Sequence, residues 1–143
     1  GVVLPSQGTI FVSVTDRHKE PMVPLARQLV QLGYDLLATN GTARRLEHQG
    51  IAVKRVRKLQ EGHPNLLVYL IDGSIQLIIN TPAGKGARTD EGRIRAAGVA
   101  HGVPCITTIP AAQAAVKAMA ALRTEEITVQ ALQDRFPQEA TSH

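Results

Sequence analysis

Tryptophan is absent, and aromatic residues make up 3% of the chain, as two tyrosines and two phenylalanines. A core must therefore be built from Val, Ile, Leu and Ala. The aromatic platforms on which nucleic-acid binders stack bases are missing, which counts against an RNA or DNA partner. A single cysteine, Cys105, excludes an internal disulfide and fits a reducing, cytoplasmic compartment. No apolar run approaches the ~20 residues of a membrane span, and no signal-peptide pattern is present. Signatures of catalysis are equally scarce. There is no Gly-x-Ser-x-Gly elbow and no Gly-x-x-x-x-Gly-Lys-[Ser/Thr] phosphate loop. Gly84-x-Gly86 is followed by Thr89 where a dinucleotide fingerprint wants Gly or Ala, and it opens no helix. His18, His48, His63, His101 and His143 lack metal-ligand spacing, so no metal is expected. The acids Asp16, Glu61 and Asp90 form no evident pair.

What is present is a 143-residue chain with 43% hydrophobic residues, enough for one ordinary core, and a formal charge of +4 that favours an anionic partner. Residues 1–8 read as a linker, 9–136 as the domain and 137–143 as a flexible tail. A start at Gly1 rather than Met is expected of a processed protein or of a piece of a longer one.

The β-branched run from Thr9 to Val14 predicts a first strand. Apolar residues from Met22 to Leu32 recur at spacings of three and four, which predicts a helix ended by Gly33, with Pro21 and Pro24 confined to its first turn. Residues 34–38 predict a second strand. A short helix follows Thr42 and stops at Gly50, and Ile51-Ala52-Val53 predicts a third strand. Residues 54–65 form a long polar loop, and such loops are usually functional or mobile. A short helix over 66–71, a strand over 75–79, a helix over 90–102, a strand over 103–107 and an Ala-rich helix over 111–122 complete the pattern. A last amphipathic segment with Val129, Leu132 and Phe136 is expected to close the domain. His101 on an apolar helix face reads as a core histidine, and Cys105 as buried and inert.

Strands alternating with helices predict a three-layer α/β/α fold, doubly wound, around a five-stranded parallel sheet. Ligands of such sheets sit outside the carboxyl ends of the strands. The polar segments Thr15–Lys19, Thr39–Thr42, Asn80–Lys85 and Thr107–Thr108 all fall at those ends, so they converge. Ser13, Lys19, Thr39, Gly41, Thr42, Lys58, Asn80, Thr81 and Lys85 gather hydroxyls, amides and ammonium groups, a donor set suited to a phosphomonoester. Thr39-Asn40-Gly41-Thr42 runs straight into a helix and so offers free N–H groups and a positive dipole end. Each feature also has a plain structural role open to it. Thr42 can cap its helix, Asn40-Gly41 can be a turn, and the cations between Lys54 and Lys58 can be a solvated face.

Five motifs occur in order: Ser13-Val14-x4-Lys19-Glu20, Gly33-Tyr34-x3-Ala38-Thr39-Asn40-Gly41-Thr42-Ala43, Lys58-Leu59-x-Glu61-Gly62-His63-Pro64, Ile78-Ile79-Asn80-Thr81-Pro82-x-Gly84 and Ile94-Arg95-x2-Gly98. Together they resemble the methylglyoxal-synthase-like domain, most closely the carboxyl-terminal regulatory domain of carbamoyl-phosphate synthetase large chains, over about 9–136. The resemblance implies an effector domain that binds the inhibitor UMP or the activator IMP and has no cofactor of its own. Its parent ligase would use ATP with magnesium or manganese and potassium, serve pyrimidine and arginine synthesis, and pair its large chain with a glutaminase small chain. By position, Ser13, Lys19, Thr39, Thr42, Lys58 and Asn80 would surround phosphate and ribose, Asp90 and Ile94 would lie near the base, and Thr107 and Thr108 would border an ornithine site at an interface. Pro82-Ala83 replaces two hydroxyl residues of enteric members. True methylglyoxal synthases carry an aspartate where Gly62-His63 stands, which argues against lyase activity. The alternative is a free-standing lyase acting on dihydroxyacetone phosphate, with Asp90 or Glu61 as its base.

Overall fold

The structure, a computed structural model, describes residues 4–57, 65–81 and 90–135. Strands and helices alternate along it: β1 (Thr9–Ser13), α1 (Asp16–Gln31), β2 (Asp35–Ala38), α2 (Asn40–His48), β3 (Lys54–Arg55), α3 (Leu66–Ile71), β4 (Ile75–Asn80), α4 (Asp90–Ala100), β5 (Cys105–Ile106) and α5 (Ile109–Arg135). The strands form one sheet in the order β3-β2-β1-β4-β5, and every pairing is parallel. Parallel neighbours need crossover connections, and the helices supply them on both faces.

Alternation along the strands divides the core in two. Ile10, Val12, Leu36, Ala38, Leu77 and Ile79 face α1, α2 and α5, whereas Phe11, Leu37 and Ile78 face α3 and α4. Phe11, Ile78 and Leu77 are fully buried, each removal from water contributing about 1.5–3 kcal/mol. β4 breaks strict alternation at Gln76, the one polar residue in that apolar run. Thr9 pairs with Ile75 but Ile10 with Leu77, so Gln76 is an extra residue. Its side-chain oxygen accepts the Thr9 N–H at 2.6 Å and its amide donates to the Gly73 carbonyl at 2.8 Å.

Four sequence expectations are corrected here. First, α1 starts at Asp16, so Pro21 and Pro24 lie inside the helix rather than in its first turn. The carbonyls they leave without helical donors belong to Arg17 and Glu20, both exposed residues where water can substitute. Second, the third strand is Lys54–Arg55, paired with Leu37 and Ala38, and not 51–53. Ile51 is buried by the core as part of the connection, which mimics a strand in its hydrophobicity alone. Third, the Ala-rich helix and the last amphipathic segment are one continuous helix, α5, on which Val129 and Leu132 are exposed, so these residues do not close the core. Fourth, His101 is exposed just beyond α4 instead of buried in its face. Gly33 and Gly50 do stop their helices, with φ of 97° and 76°.

The segment read as a linker is tied to the domain from Leu4 onward. Leu4 packs against the larger core cluster, the Tyr34 hydroxyl donates to the Pro5 carbonyl at 2.6 Å, and the Asp35 N–H donates to Gly8 at 3.0 Å. Among the described residues, no helix is long and apolar enough to cross a membrane.

Candidate functional site

The winding of the sheet reverses between β1 and β4: the chain moves outward through β2 and β3, then returns to the other side of β1. At such a switch point the loops leaving adjacent strands diverge and open a crevice. Ser13, the last residue of β1, pairs with Asn80, the last of β4, and the Thr81 N–H donates to the Ser13 carbonyl at 3.1 Å. Ser13, Thr39, Thr42, Asn80 and Thr81 are all buried there. Burial of polar groups is costly unless they find partners, and the Ser13, Thr39, Thr42 and Thr81 side chains find theirs across the seam. The Ser13 and Thr39 hydroxyls lie 3.1 Å apart. The Thr42 Oγ1 accepts the Val14 N–H at 3.2 Å, and the Thr81 Oγ1 accepts the Thr15 N–H at 3.1 Å. The turns after β1, β2 and β4 are thereby locked to each other.

Two helices begin at this seam. Thr15 and Thr39 occupy the N-cap positions of α1 and α2, yet neither side chain caps its helix. Thr39 turns to Ser13 instead, and Thr15 contacts His18 Nδ1 at 3.1 Å. Thr42, the residue we expected could cap α2, sits within its first turn and fastens Val14. The first turns of both helices therefore keep N–H groups that no side-chain cap engages, with the positive end of each dipole at the same place. Lys19 adds a charge: its Nζ lies 3.6 Å from where a methyl group on Gly41 would stand, over the start of α2. The Lys19 ammonium forms an ion pair with Asp16, which holds the Asp16 carboxyl below the usual carboxylate range.

The structure thus brings together Ser13, Lys19, Thr39, Gly41, Thr42, Asn80 and Thr81. Lys58 and Lys85 lie outside the described residues, and Asp90 is described as the first residue of α4 without its side chain. Ile94 is 1% exposed and packs in the α3/α4 core with Phe11 and Ile78. Thr108 has a structural role, its Oγ1 accepting the Ala111 N–H at 3.2 Å in the first turn of α5, while Thr107 is half-buried beside it. Burial pushes the Cys105 thiol up, against the opposing charge of Arg95, so it stays protonated at neutral pH. Among the described residues no three His, Cys, Asp or Glu side chains stand together as metal ligands would. The sequence reading missed two features. One is the Lys19–Asp16 pair, whose i, i+3 spacing was legible once α1 was known to start at Asp16. The other is a cavity of about 560 Å³ at the opposite, amino end of the sheet, lined by both tyrosines.

Chemically, the carboxyl end offers hydroxyls, backbone donors, two helix N-termini and an ammonium group, a set suited to an anion, and among the described residues the His18 imidazole against the Thr15 hydroxyl is the base–hydroxyl contact there.

Comparison with known proteins agrees with this architecture. A carbamoyl phosphate synthase large chain of Rhodopirellula baltica is 61% identical over 96% of this chain, and the chain spans 13% of that relative's length. A carbamoyl phosphate synthase large chain, C-terminal section, of Methanopyrus kandleri is 50% identical over 94% of this chain, which spans 25% of it. Among solved structures, a methylglyoxal synthase from Elizabethkingia anophelis superposes with a TM-score of 0.61 at 22% identity, covering 79% of each chain, which shows a shared fold. The family model described as MGS-like domain matches residues 21–107. The chain belongs to the MGS-like domain family, and its relatives carry this domain in carbamoyl phosphate synthase large chains.

Proposed function

We propose that this chain is the regulatory domain of a carbamoyl phosphate synthase large chain and binds a nucleotide monophosphate, UMP or IMP, with the phosphate at the carboxyl ends of β1, β2 and β4. The observation that carries the reading is the seam itself: Lys19 over the first turn of α2, at the same switch point as the buried hydroxyls of Ser13, Thr39, Thr42 and Thr81. A phosphomonoester is the ligand that uses all of these donors at once. Lys58 extends the set from the 58–64 segment by sequence resemblance. Regulation then requires that the nucleotide hold one conformation of the larger synthase more tightly than another, because equal affinity for both shifts nothing. The remaining large chain and the glutaminase small chain are the partners through which the signal passes, and ATP, magnesium or manganese, and potassium belong to their chemistry.

Calorimetry of UMP and IMP against the 143-residue chain tests the reading. Lys19→Ala and Lys58→Ala should each weaken binding by about 1.5–3 kcal/mol, as expected for a hydrogen bond to a charged group. Unchanged affinity in both variants removes the site, and production of methylglyoxal from dihydroxyacetone phosphate replaces the regulatory reading with the lyase.

A further inference from the structure

Asp16 stands where a ligand's negative charge would be welcome. It is the first residue of α1, its side chain is 99% exposed, and its Oδ1 accepts a hydrogen bond from Lys19 Nζ. Lys19 is mostly sheltered, at 18% side-chain exposure, and its ammonium group sits over Gly41 at the start of α2. Among the described residues, Asp16 is the one ionic partner of Lys19. The two ends of this ion pair therefore differ. The cation is fixed against the seam, whereas the carboxylate is surrounded by water on every side but that of Lys19 and can swing away without uncovering any apolar surface.

We propose that Asp16 is a built-in competitor of the ligand: its carboxylate occupies Lys19 while the site is empty, and an entering phosphate must displace it. This rests on the phosphate reading above and adds to it an affinity-setting residue that contributes no contact of its own to the bound anion. When displaced, the carboxylate remains at the first turn of α1, where the helix dipole favours a negative charge. The exchange of one anion for another on Lys19 lowers affinity without closing the site to a strong ligand, which suits an effector that must leave as well as bind. It also makes the neutral residue, not the acidic one, the tighter-binding choice at position 16, the reverse of the effect expected from removing a side chain that helps hold the site together.

Titration of the 143-residue chain with UMP at low ionic strength tests this. Asp16→Asn should bind UMP about threefold to tenfold more tightly than the wild type, and Asp16→Glu should stay within about twofold of it. The advantage of Asp16→Asn should shrink below about twofold at 0.5 M salt, where the charges are screened. In thermal unfolding, Asp16→Asn should gain stability over the wild type in the presence of UMP and none in its absence. If the wild type binds UMP and Asp16→Asn binds equally or more weakly, the competitor role is overturned while the phosphate site stands. If neither protein binds UMP or IMP, the phosphate reading itself falls and takes this inference with it.

Discussion

The two ends of the sheet hold opposite kinds of space. At the carboxyl end, five buried polar side chains crowd together, and four of them fasten three turns to one another. At the amino end lies the cavity of about 560 Å³, walled by Val30, Leu36 and Val53 together with Tyr34 and Tyr69. It lies where β3, two residues long, covers β2 at Leu37 and Ala38 alone, leaving the start of β2 paired with β1 but uncovered on its outer side. The cation available there, Lys54, lies over the Tyr69 ring at 5.4 Å. A roomy cavity with its charge resting on an aromatic face is a poor anion receptor; a tight cluster of donors at two helix starts is a good one. On that chemistry, and not on room, the proposed site is assigned to the carboxyl end.

Three substitutions sharpen that contrast, in order of effect on stability. Thr42→Val keeps the shape but leaves the Val14 N–H without its acceptor in a buried place, so urea unfolding should show a loss of about 1–3 kcal/mol. A loss under 0.5 kcal/mol would mean that the seam is not what holds the turns. At the other end, Tyr34→Phe removes the hydrogen bond to Pro5 and should cost about 1 kcal/mol, with UMP affinity unchanged. A change in UMP affinity there would show that the two ends are coupled. Smallest in stability is Gly41→Ala. An added methyl meets Lys19 at ordinary van der Waals distance and the backbone needs no left-handed conformation, so unfolding should shift by less than about 0.5 kcal/mol. Its effect should appear in UMP titration as a severalfold loss, because the methyl stands between the ammonium group and the helix start.

How much of this was legible in the sequence depended on what each residue's neighbours were doing. The strand–turn–helix rhythm of 9–50 was readable because burial on one helix face and both strand faces leaves periodic traces. Convergence of Ser13, Thr39, Thr42, Asn80 and Thr81 followed from that rhythm alone, since parallel strands deliver their carboxyl ends to one side. Ile51 and Val53 misled because a connection that crosses the core's rim is as apolar as a strand. Pro21 and Pro24 misled because a helix tolerates proline where the orphaned carbonyl can reach water. The bulge at Gln76 could not be seen at all, since its purpose is to satisfy Thr9, a residue far away along the chain. Val129 and Leu132 repeat at helical spacing whether or not anything covers them, so periodicity fixed their helix and not their exposure.

The pairing of Ser13 with Asn80 and the bond from Thr15 to Thr81, across 66 residues, carry a consequence for how the site comes into being. No stretch of this chain owns it. The groups of the first two turns wait for a strand that is made much later, and β1 sits at the centre of the sheet with one side open until β4 arrives. Closing so long a loop carries an entropic cost that the local turns and helices do not. A nucleotide that binds the finished seam therefore favours the whole folded domain over every partly assembled form, and amide exchange along β1 and β4 would slow together when it is added.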